Sequence, residues 1–546
     1  MNSMTPDAPK KTRRIPLSSI AILLMATSLS GQVLGFLRTK LVNANFPALG
    51  PHSTDAYFAA FNIPDFFFFT VAAGALGVAF MPVLSDYLHR GDRKGMWEIS
   101  SSLLNLLAVI MAVVGVVIFV FARPLVQYIV APSMTPDQLN TTVAIMRLIA
   151  FNPLLFTISG ILTSMQQTLG RFFFYAMAPL FYNLSIIMSA EIFSLAGGGD
   201  GGPGHLGLVG LGVGALIGSV LQLLVVLIGM SRTRFRWSPR IIWRSADFRL
   251  VLRQLPPRSL DQGIDQLESI VETHFARGLG PGFISYYNNA YILSTAPILL
   301  IGTAISTAAF PRLNARLSQG RPDLFRHDFL RVLRAMIWLT LPVVIVAFFA
   351  RGYLARLIFS SDAPEIALIF GYLAPAIFFG TLYTLVSRWF YSQKDTKTPL
   401  VVSIFAISLN VLLVYELASK TAYGIAGLAM AQSLVMMGQV AALMLIMLVR
   451  DHHLLNGAFW GGVARTISVS GFSLMAGYIM VSIYPLGLND RGFITLGGKL
   501  LIIALVVFVT HIFVSSLFGL EEVRPLFRRS RHLINRLVNK PIRIDI

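Results

Sequence analysis

Fourteen stretches of this chain are each long and apolar enough to cross a lipid bilayer, and that feature decides what it can fold into. A membrane helix needs about 20 predominantly apolar residues. Runs of that kind fall at roughly 17–42, 62–88, 99–129, 141–168, 172–196, 206–230, 250–276, 282–310, 328–350, 364–391, 399–419, 423–449, 459–484 and 497–519, here numbered spans 1–14. No water reaches the hydrocarbon, so each run must satisfy its own backbone polar groups and folds as a helix. Composition agrees. Of 546 residues, 55% are apolar and only 13% charged, where soluble domains carry about 25% charged. The sequence predicts an all-α polytopic membrane protein with 14 transmembrane helices.

The charges orient those helices. Lys10, Lys11, Arg13 and Arg14, then Arg90, Arg93 and Lys94, the stretch Arg232–Arg249, then Arg312, Arg316, Arg321 and Arg326, and the tail Arg524–Arg543 occupy alternate ends of the spans. Loops after spans 1, 3 and 5 hold no Lys or Arg, and those after spans 7, 11 and 13 hold little beyond Arg277, Lys420 and Arg491. Positive charge stays on the cytoplasmic side, so both termini are expected in the cytoplasm of a bacterial inner membrane. The net +19 is then a match for anionic inner-leaflet lipids; no nucleic-acid partner is expected. The first apolar run is too long for a signal peptide and lacks a cleavage site, so it reads as span 1. The tail from Arg524 reads as an amphipathic helix on the inner leaflet. With no cysteine, the chain has neither disulfides nor thiolate metal sites.

An internal repeat gives the organisation. Tyr57-Phe58, Pro82, Leu84, Leu88 and Gly91 recur as Tyr286-Tyr287, Pro311, Leu313, Leu317 and Gly320, offset by 229 residues. That offset equals six spans, which return the chain to the same side. The expected plan is a cytoplasmic leader (1–16), an N-lobe of spans 1–6 (17–230), a basic loop (231–249), a pseudo-symmetric C-lobe of spans 7–12 (250–449), two C-terminal helices (459–519) and a basic tail (520–546). Repeats of this kind place the substrate path between the halves.

Several charges lie where a bilayer makes them expensive. Span 7 carries Asp261, Asp265, Glu268 and Glu272 at spacings of 4, 3 and 4, with Arg258 one turn earlier; on a helix they form one stripe. A carboxylate at the bilayer centre costs roughly 2.5–3.5 kcal/mol, so the stripe must face a wet cavity, partner helices or a cation. It either pairs statically or couples transport to Na⁺ or H⁺. Arg38, Asp65 and Arg147 fall within spans 1, 2 and 4; Arg offers donors suited to phosphate, and snorkelling to the headgroups is the alternative. His274 reads as a cap on the acidic stripe. There is no P-loop, GxSxG or HExxH, so transport would draw on an ion gradient, the membrane potential or the substrate gradient.

Gly31-Gln-Val-Leu-Gly-Phe-Leu-Arg38, Thr54-Asp-Ala-Tyr-Phe-Ala-Ala-Phe-Asn-Ile-Pro64, Gly74-Ala75 through Ala79-Phe80-Met-Pro82, Ser285-Tyr-Tyr, Gly302-Thr-Ala and Phe310-Pro311 resemble the MurJ/MviN lipid II flippase family. So does Arg388-Trp-Phe-Tyr-Ser-Gln-Lys-Asp395-Thr-Lys-Thr398-Pro399, which resembles the family's loop between spans 10 and 11. The resemblance implies a MOP-superfamily exporter: two six-helix lobes about a central cavity, spans 13–14 forming a lipid-tail groove, and alternating access that moves an undecaprenyl-diphosphate-linked peptidoglycan precursor outward. It implies cavity arginines for the diphosphate, with Arg38 matching one of them, and a monovalent cation site among spans 7, 11 and 12, with Asn410 at its amide position. The chain departs from the family pattern at Gln32, at Phe66–Phe69 and at Tyr291, which replace arginines, and at Ala73, which replaces a glutamate.

The candidate substrate contacts are therefore Arg38, Arg147, Arg258, Gln32 and Asp65, and the candidate cation-coupling residues are Asp261, Asp265, Glu268, Glu272 and Asn410. Arg388, Asp395, Thr398 and Pro399 are structural motif residues. The leading expectation is a monomeric lipid II flippase with no cofactor beyond a coupling Na⁺ or H⁺. The alternatives are a cation-coupled exporter of a cationic or neutral solute, a flippase for another lipid-linked oligosaccharide, and a scaffold that recruits wall-synthesis enzymes.

Overall fold

A computed structural model describes residues 17–524, except 51, 74–79, 196–205, 232, 234, 360–361, 422 and 488; among the described residues every regular element is helical. Eleven stretches are long and apolar enough to cross a membrane: Arg93–Val130 (span 3), Pro136–Thr168 (4), Phe173–Phe193 (5), Leu208–Ser231 (6), Phe283–Ser318 (8), Pro322–Phe349 (9), Ala363–Ser392 (10), Lys397–Ser419 (11), Gly424–Arg450 (12), Gly457–Ile483 (13) and Phe493–Leu517 (14). The other three expected spans are helical where they should be: Leu17–Asn45, Thr54–Ala73 with Met81–His89, and Ala246–Leu279. The basic leader and the expected amphipathic tail beyond Arg524 lie outside the described residues.

The helices overrun the apolar runs. Span 8 continues to Ser318, taking Arg312 and Arg316 with it, because hydropathy measures only the part inside the hydrocarbon. Span 4 is two helices, Pro136–Ile149 and Asn152–Thr168. Pro153 in the first turn of the second cannot donate to the carbonyl of Ile149. Gly115 of span 3 fits the bend: a Cβ there would sit 2.7 Å from the Phe151 ring. A short helix the sequence did not predict, Arg351–Ile358, follows span 9.

The repeat is visible in the backbone. Span 2 begins at Thr54 and span 8 at Phe283, 229 residues apart. Each runs 15 residues as α-helix, then widens into a π-helical turn at Phe69–Ala73 and at Ile298–Thr303. Each ends at the same offset, at His89 and Ser318, and is followed by a left-handed glycine, Gly91 (φ 72°) and Gly320 (φ 67°). Spans 3 and 9 then start at Arg93 and Pro322. π-turns concentrate at functional sites, and here they mark equivalent points of two halves.

The apolar cores show how the halves meet. At the basic end there are two separate cores. One joins spans 2, 3, 4, 6 and the start of 7 through Phe80, Leu84, Leu103, Met165 and Phe248; the other joins spans 8, 9, 10 and 12 through Leu313, Phe329, Trp389 and Leu443. At the charge-poor end a single core runs across both halves, with Val42, Tyr57 and Ile149 in the same cluster as Tyr286, Phe370 and Leu428. The molecule is closed at its charge-poor end.

Spans 13 and 14 pack on each other and on span 9. A buried polar relay fixes them: His511 Nε2 lies 3.0 Å from the Trp338 carbonyl, its Nδ1 lies 2.9 Å from Ser473 Oγ, and Trp338 Nε1 donates to Ser515 Oγ at 2.8 Å.

Candidate functional site

Span 7 runs along the seam between the halves, packing on spans 2 and 3 on one side and on spans 8, 11 and 12 on the other. Gly263 allows the close approach to span 2, since a Cβ there would lie 2.5 Å from Thr70 Oγ1. Polar side chains collect along this helix at three levels.

At the charge-poor end Asp55 of span 2, 0% exposed, binds the start of span 8. It accepts from the backbone N–H of Gly282 at 2.7 Å, from the N–H of Ser285 at 2.8 Å and from Ser285 Oγ at 2.7 Å. Arg277 of span 7, 5% exposed, pairs with the same carboxylate at 3.4 Å and donates to the Ser133 carbonyl at 3.0 Å. Asn43 and Asn289 donate to each other nearby, at 3.2 and 2.7 Å. Every charged group in this lock has a partner, as burial demands.

One level deeper lie the acids. Glu272 is buried and accepts from Tyr287 Oη at 2.5 Å. Glu268, one turn earlier and half-buried, accepts from Asn410 Nδ2 at 3.0 Å. Asn410 Nδ2 also donates to Gln432 Oε1 at 2.9 Å, while Asn410 Oδ1 is buried without a hydrogen-bond partner. Asp265, exposed, completes a row of three carboxylates facing Tyr291. The side chains of Arg258 and Asp261 lie outside the described residues. The described stripe thus shares one face, as its spacing requires, and grades from exposed to buried toward the lock. His274 does not cap it: its Nδ1 meets the Ile129 carbonyl at 2.7 Å and so ties span 7 to span 3.

On the N-lobe side Arg38 is half-buried and faces Asp65, Tyr57 and Tyr182 without closing to an ion pair among the described contacts. Gln32 is half-buried on the same helix. Arg147 does not join them. It is exposed, its Nε donates to the Phe119 carbonyl at 3.1 Å and its guanidinium lies 5.6 Å from that ring's centre. Those contacts hold it against span 3, in the position of a snorkelling residue.

The motif between spans 10 and 11 is a clasp at the basic end. Asp395 accepts from the N–H groups of Lys397 and Thr398, both at 3.0 Å, from Thr398 Oγ1 at 2.6 Å and from Arg450 Nη1 at 2.6 Å. Those donors hold its carboxyl down at about 2. Arg388 donates to Thr307 Oγ1 at 2.8 Å, and Pro399 is buried in the first turn of span 11.

Sequence reasoning missed Asp55, Tyr287 and Gln432 as functional residues and treated Arg277 as a loop charge. Asp55 sits in a motif that carried the family resemblance, but nothing local said that its partners stand more than 220 residues away.

Two helical halves joined at one end, with separate cores at the other and ionisable groups along the seam, define an alternating-access membrane carrier. A family model described as "Lipid II flippase MurJ" matches residues 49–489. A probable lipid II flippase MurJ of Rhizobium tropici is 24% identical over 516 residues, covering 91% of this chain and 93% of that one. One from Vibrio cholerae is 26% identical over 436 residues, covering 76% and 79%. Among solved structures, a lipid II flippase MurJ in an inward closed conformation superposes with a TM-score of 0.72 at 18% identity, over 91% of this chain and 98% of that one. An inward-facing multidrug-resistance MATE transporter of the MOP superfamily gives 0.65 at 16% identity, over 80% and 98%. The chain belongs to the lipid II flippase MurJ family.

Proposed function

We propose that this protein moves lipid II from the inner to the outer leaflet of a bacterial cytoplasmic membrane, with its basic end and both termini inside. The observation that carries this reading is the family match over residues 49–489; a chain closed at its charge-poor end and split into two cores at its basic end is in the state that would load from the inner leaflet. Arg38 meets the diphosphate, with Asp65 and Gln32 beside it. Two negative charges moved outward gain roughly 2.3 kcal/mol each per 100 mV, so an inside-negative potential drives the loaded step.

A coupling cation at this stripe would reset the carrier. Glu268, the unpartnered Asn410 Oδ1 and Gln432 Oε1 are a carboxylate and two amide oxygens, a donor set suited to a hard monovalent cation such as Na⁺; a proton on the carboxylate is the other form of the same neutralisation. Bound there, a cation would supply the positive charge that two acids one turn apart need where the stripe passes from exposed to buried. The acidic seam also favours a second reading, a cation-coupled exporter of a cationic solute. External labelling of lipid II separates the two, in cells depleted of their own flippase and carrying this chain as the replacement. Restored labelling supports lipid II transport; folded protein without labelling refutes it.

A further inference from the structure

A cavity of about 1040 Å³ opens at the basic end, between the first turns of span 9, the loop from span 12 to span 13, and the Glu521–Arg524 segment after span 14. None of its lining residues belongs to spans 1–7, so it is separate from the seam described above.

Its charges do not cancel. Arg326 is neutralised by Asp451 at 2.5 Å, Arg334 by Glu522 at 2.6 Å, and Asp323 by Arg321 at 3.2 Å; Glu521, more exposed, lies 3.8 Å from the already paired Arg334. Arg331 and Arg524 line the same cavity, are exposed, and have no carboxylate in ion-pair reach among the described residues. The side-chain contact of Arg331 is with another nitrogen, His327 Nε2 at 3.4 Å. With Glu521 as the one remaining acid of the described wall, two guanidinium groups outnumber it and leave the mouth net positive, and guanidinium groups match phosphate oxygens geometrically. The wall also carries apolar side chains, Leu330, Ala335, Ala458 and Phe459, beside the polar His327, His453 and Asn456.

Depth says which phosphate. About 20 residues cover the hydrocarbon, and counting back that far from Phe349, the end of span 9, reaches the turn that carries Arg331. The guanidinium groups therefore stand at the headgroup level of the inner leaflet, above the apolar side chains of the wall. Residues 525–546 carry six Lys and Arg against one Asp, the same sign as the site, so charge complementarity favours an anion from outside the chain.

We propose that this cavity binds an anionic inner-leaflet phospholipid, with Arg331 and Arg524 on its phosphate and Leu330 and Phe459 against the start of its acyl chains. The lipid would bridge span 9, the entry to span 13 and the segment leaving span 14. It would thereby hold the two C-terminal helices to the C-lobe from the inner side, independently of what the carrier transports.

The test uses the purified full-length protein, delipidated in a neutral detergent. Phosphatidylglycerol, zwitterionic phosphatidylcholine and inorganic phosphate are titrated separately, and both the thermal midpoint and the lipid retained in native mass spectra are read. Phosphatidylglycerol should be retained and raise the midpoint. The double variant Arg331→Gln, Arg524→Gln should weaken it about 30-fold, two surface charges at about fivefold each. Arg312→Gln, which removes a charge outside the cavity and leaves Asp328 paired with Arg316, should leave binding unchanged. On the unaltered chain, a diazirine-bearing phosphatidylglycerol should cross-link within residues 453–459, a result that does not depend on any variant folding. Undiminished affinity in the double variant, or cross-links confined to other segments, would overturn the proposal. Occupancy by inorganic phosphate without lipid selectivity would assign the site to a soluble phosphate and equally overturn it.

Discussion

Removing the Asp55 carboxylate should open the charge-poor end. In the Asp55→Ala variant the Gly282 and Ser285 N–H groups and the Ser285 hydroxyl lose their acceptor, and Arg277 keeps only the Ser133 carbonyl. Hydrogen bonds to a charged group are worth about 1.5–3 kcal/mol each, and breaking a buried ion pair costs about 3–5 kcal/mol. These are overlapping accounts of one site, so about 4 kcal/mol is the working figure. If the open state has already parted span 2 from span 8, nearly all of that cost falls on the closed state. The closed-to-open ratio then drops about a thousandfold; if half the cost is common to both states, it drops about 30-fold. The native chain contains no cysteine, so a single Thr295→Cys, one turn beyond Tyr291 on span 8, gives the molecule one thiol inside the seam. In right-side-out vesicles its reaction with a membrane-impermeant maleimide should accelerate at least tenfold when Asp55→Ala is added. Asp55→Asn, which keeps an acceptor, should fall between. An unchanged rate in protein that still elutes as a single species would show that the lock is merely structural and would refute the gating argument.

Four further outcomes follow from the same geometry. Na⁺ should raise the thermal midpoint of the native protein and not of Glu268→Gln, because the charge-bearing oxygen is gone while Asn410 and Gln432 still pair; equal responses would remove Glu268 from coupling. Arg38→Ala should abolish lipid II flipping at matched expression, and Arg38→Lys should retain part of it by keeping the charge without the fork; full activity in Arg38→Ala would exclude Arg38. Asp395 is held at about 2, a lowered value, so its contribution to stability is complete above the ordinary carboxyl value of 3.8 and is lost only as pH falls toward 2. Asp395→Asn should therefore lower the midpoint by a similar amount at every pH from 5 to 8, and a difference that varies across that window would contradict the assignment. His511→Leu leaves the Trp338 carbonyl without its partner, while Ser473 Oγ keeps the Val469 carbonyl at 3.3 Å; it costs about 1–3 kcal/mol for the orphaned group and should speed hydrogen exchange in spans 13 and 14 while leaving span 10 unaffected.

Why was so much of the fold legible, and so little of the site? The bilayer turns folding into a problem with a ruler: about 20 apolar residues per crossing, positive loops on one side, and a repeat that must span an even number of crossings. The offset of 229 residues needed only a handful of matched positions, and the backbone returns it in helix starts, π-turns and left-handed glycines. Which way a side chain faces is harder, because lipid-facing and packed positions of a membrane helix are both largely apolar and hydropathy does not separate them. Arg147 could point inward or outward on sequence grounds; its exposed contacts at Phe119 settle that. The span 7 stripe was legible because four acids at helical spacing cannot be an accident of lipid contact. Its partners were not, since Gln432 and Tyr287 are ordinary residues until the chain folds back and brings them to Glu268 and Glu272.

The two halves repeat, but the helix between them does not treat them alike. Toward span 2 it makes a dry, close contact at Gly263 and Thr70, with Asn62 donating to Thr273 at 3.1 Å. Toward spans 11 and 12 it presents Glu268 to two amides, and toward span 8 it presents Glu272 to Tyr287; its one ion pair to the N-lobe among the described residues, Arg277 with Asp55 of span 2, lies in the lock at the charge-poor end. Steric contacts are indifferent to charge, whereas contacts through carboxylates respond to any positive charge that arrives. Neutralising Glu268 therefore alters how span 7 is held to the C-lobe and leaves its packing on the N-lobe unchanged. A cation acting there would bias the seam between the lobes without touching the headgroup site proposed at Arg38. The two sites would then be coupled through one helix, each able to act while the other is empty.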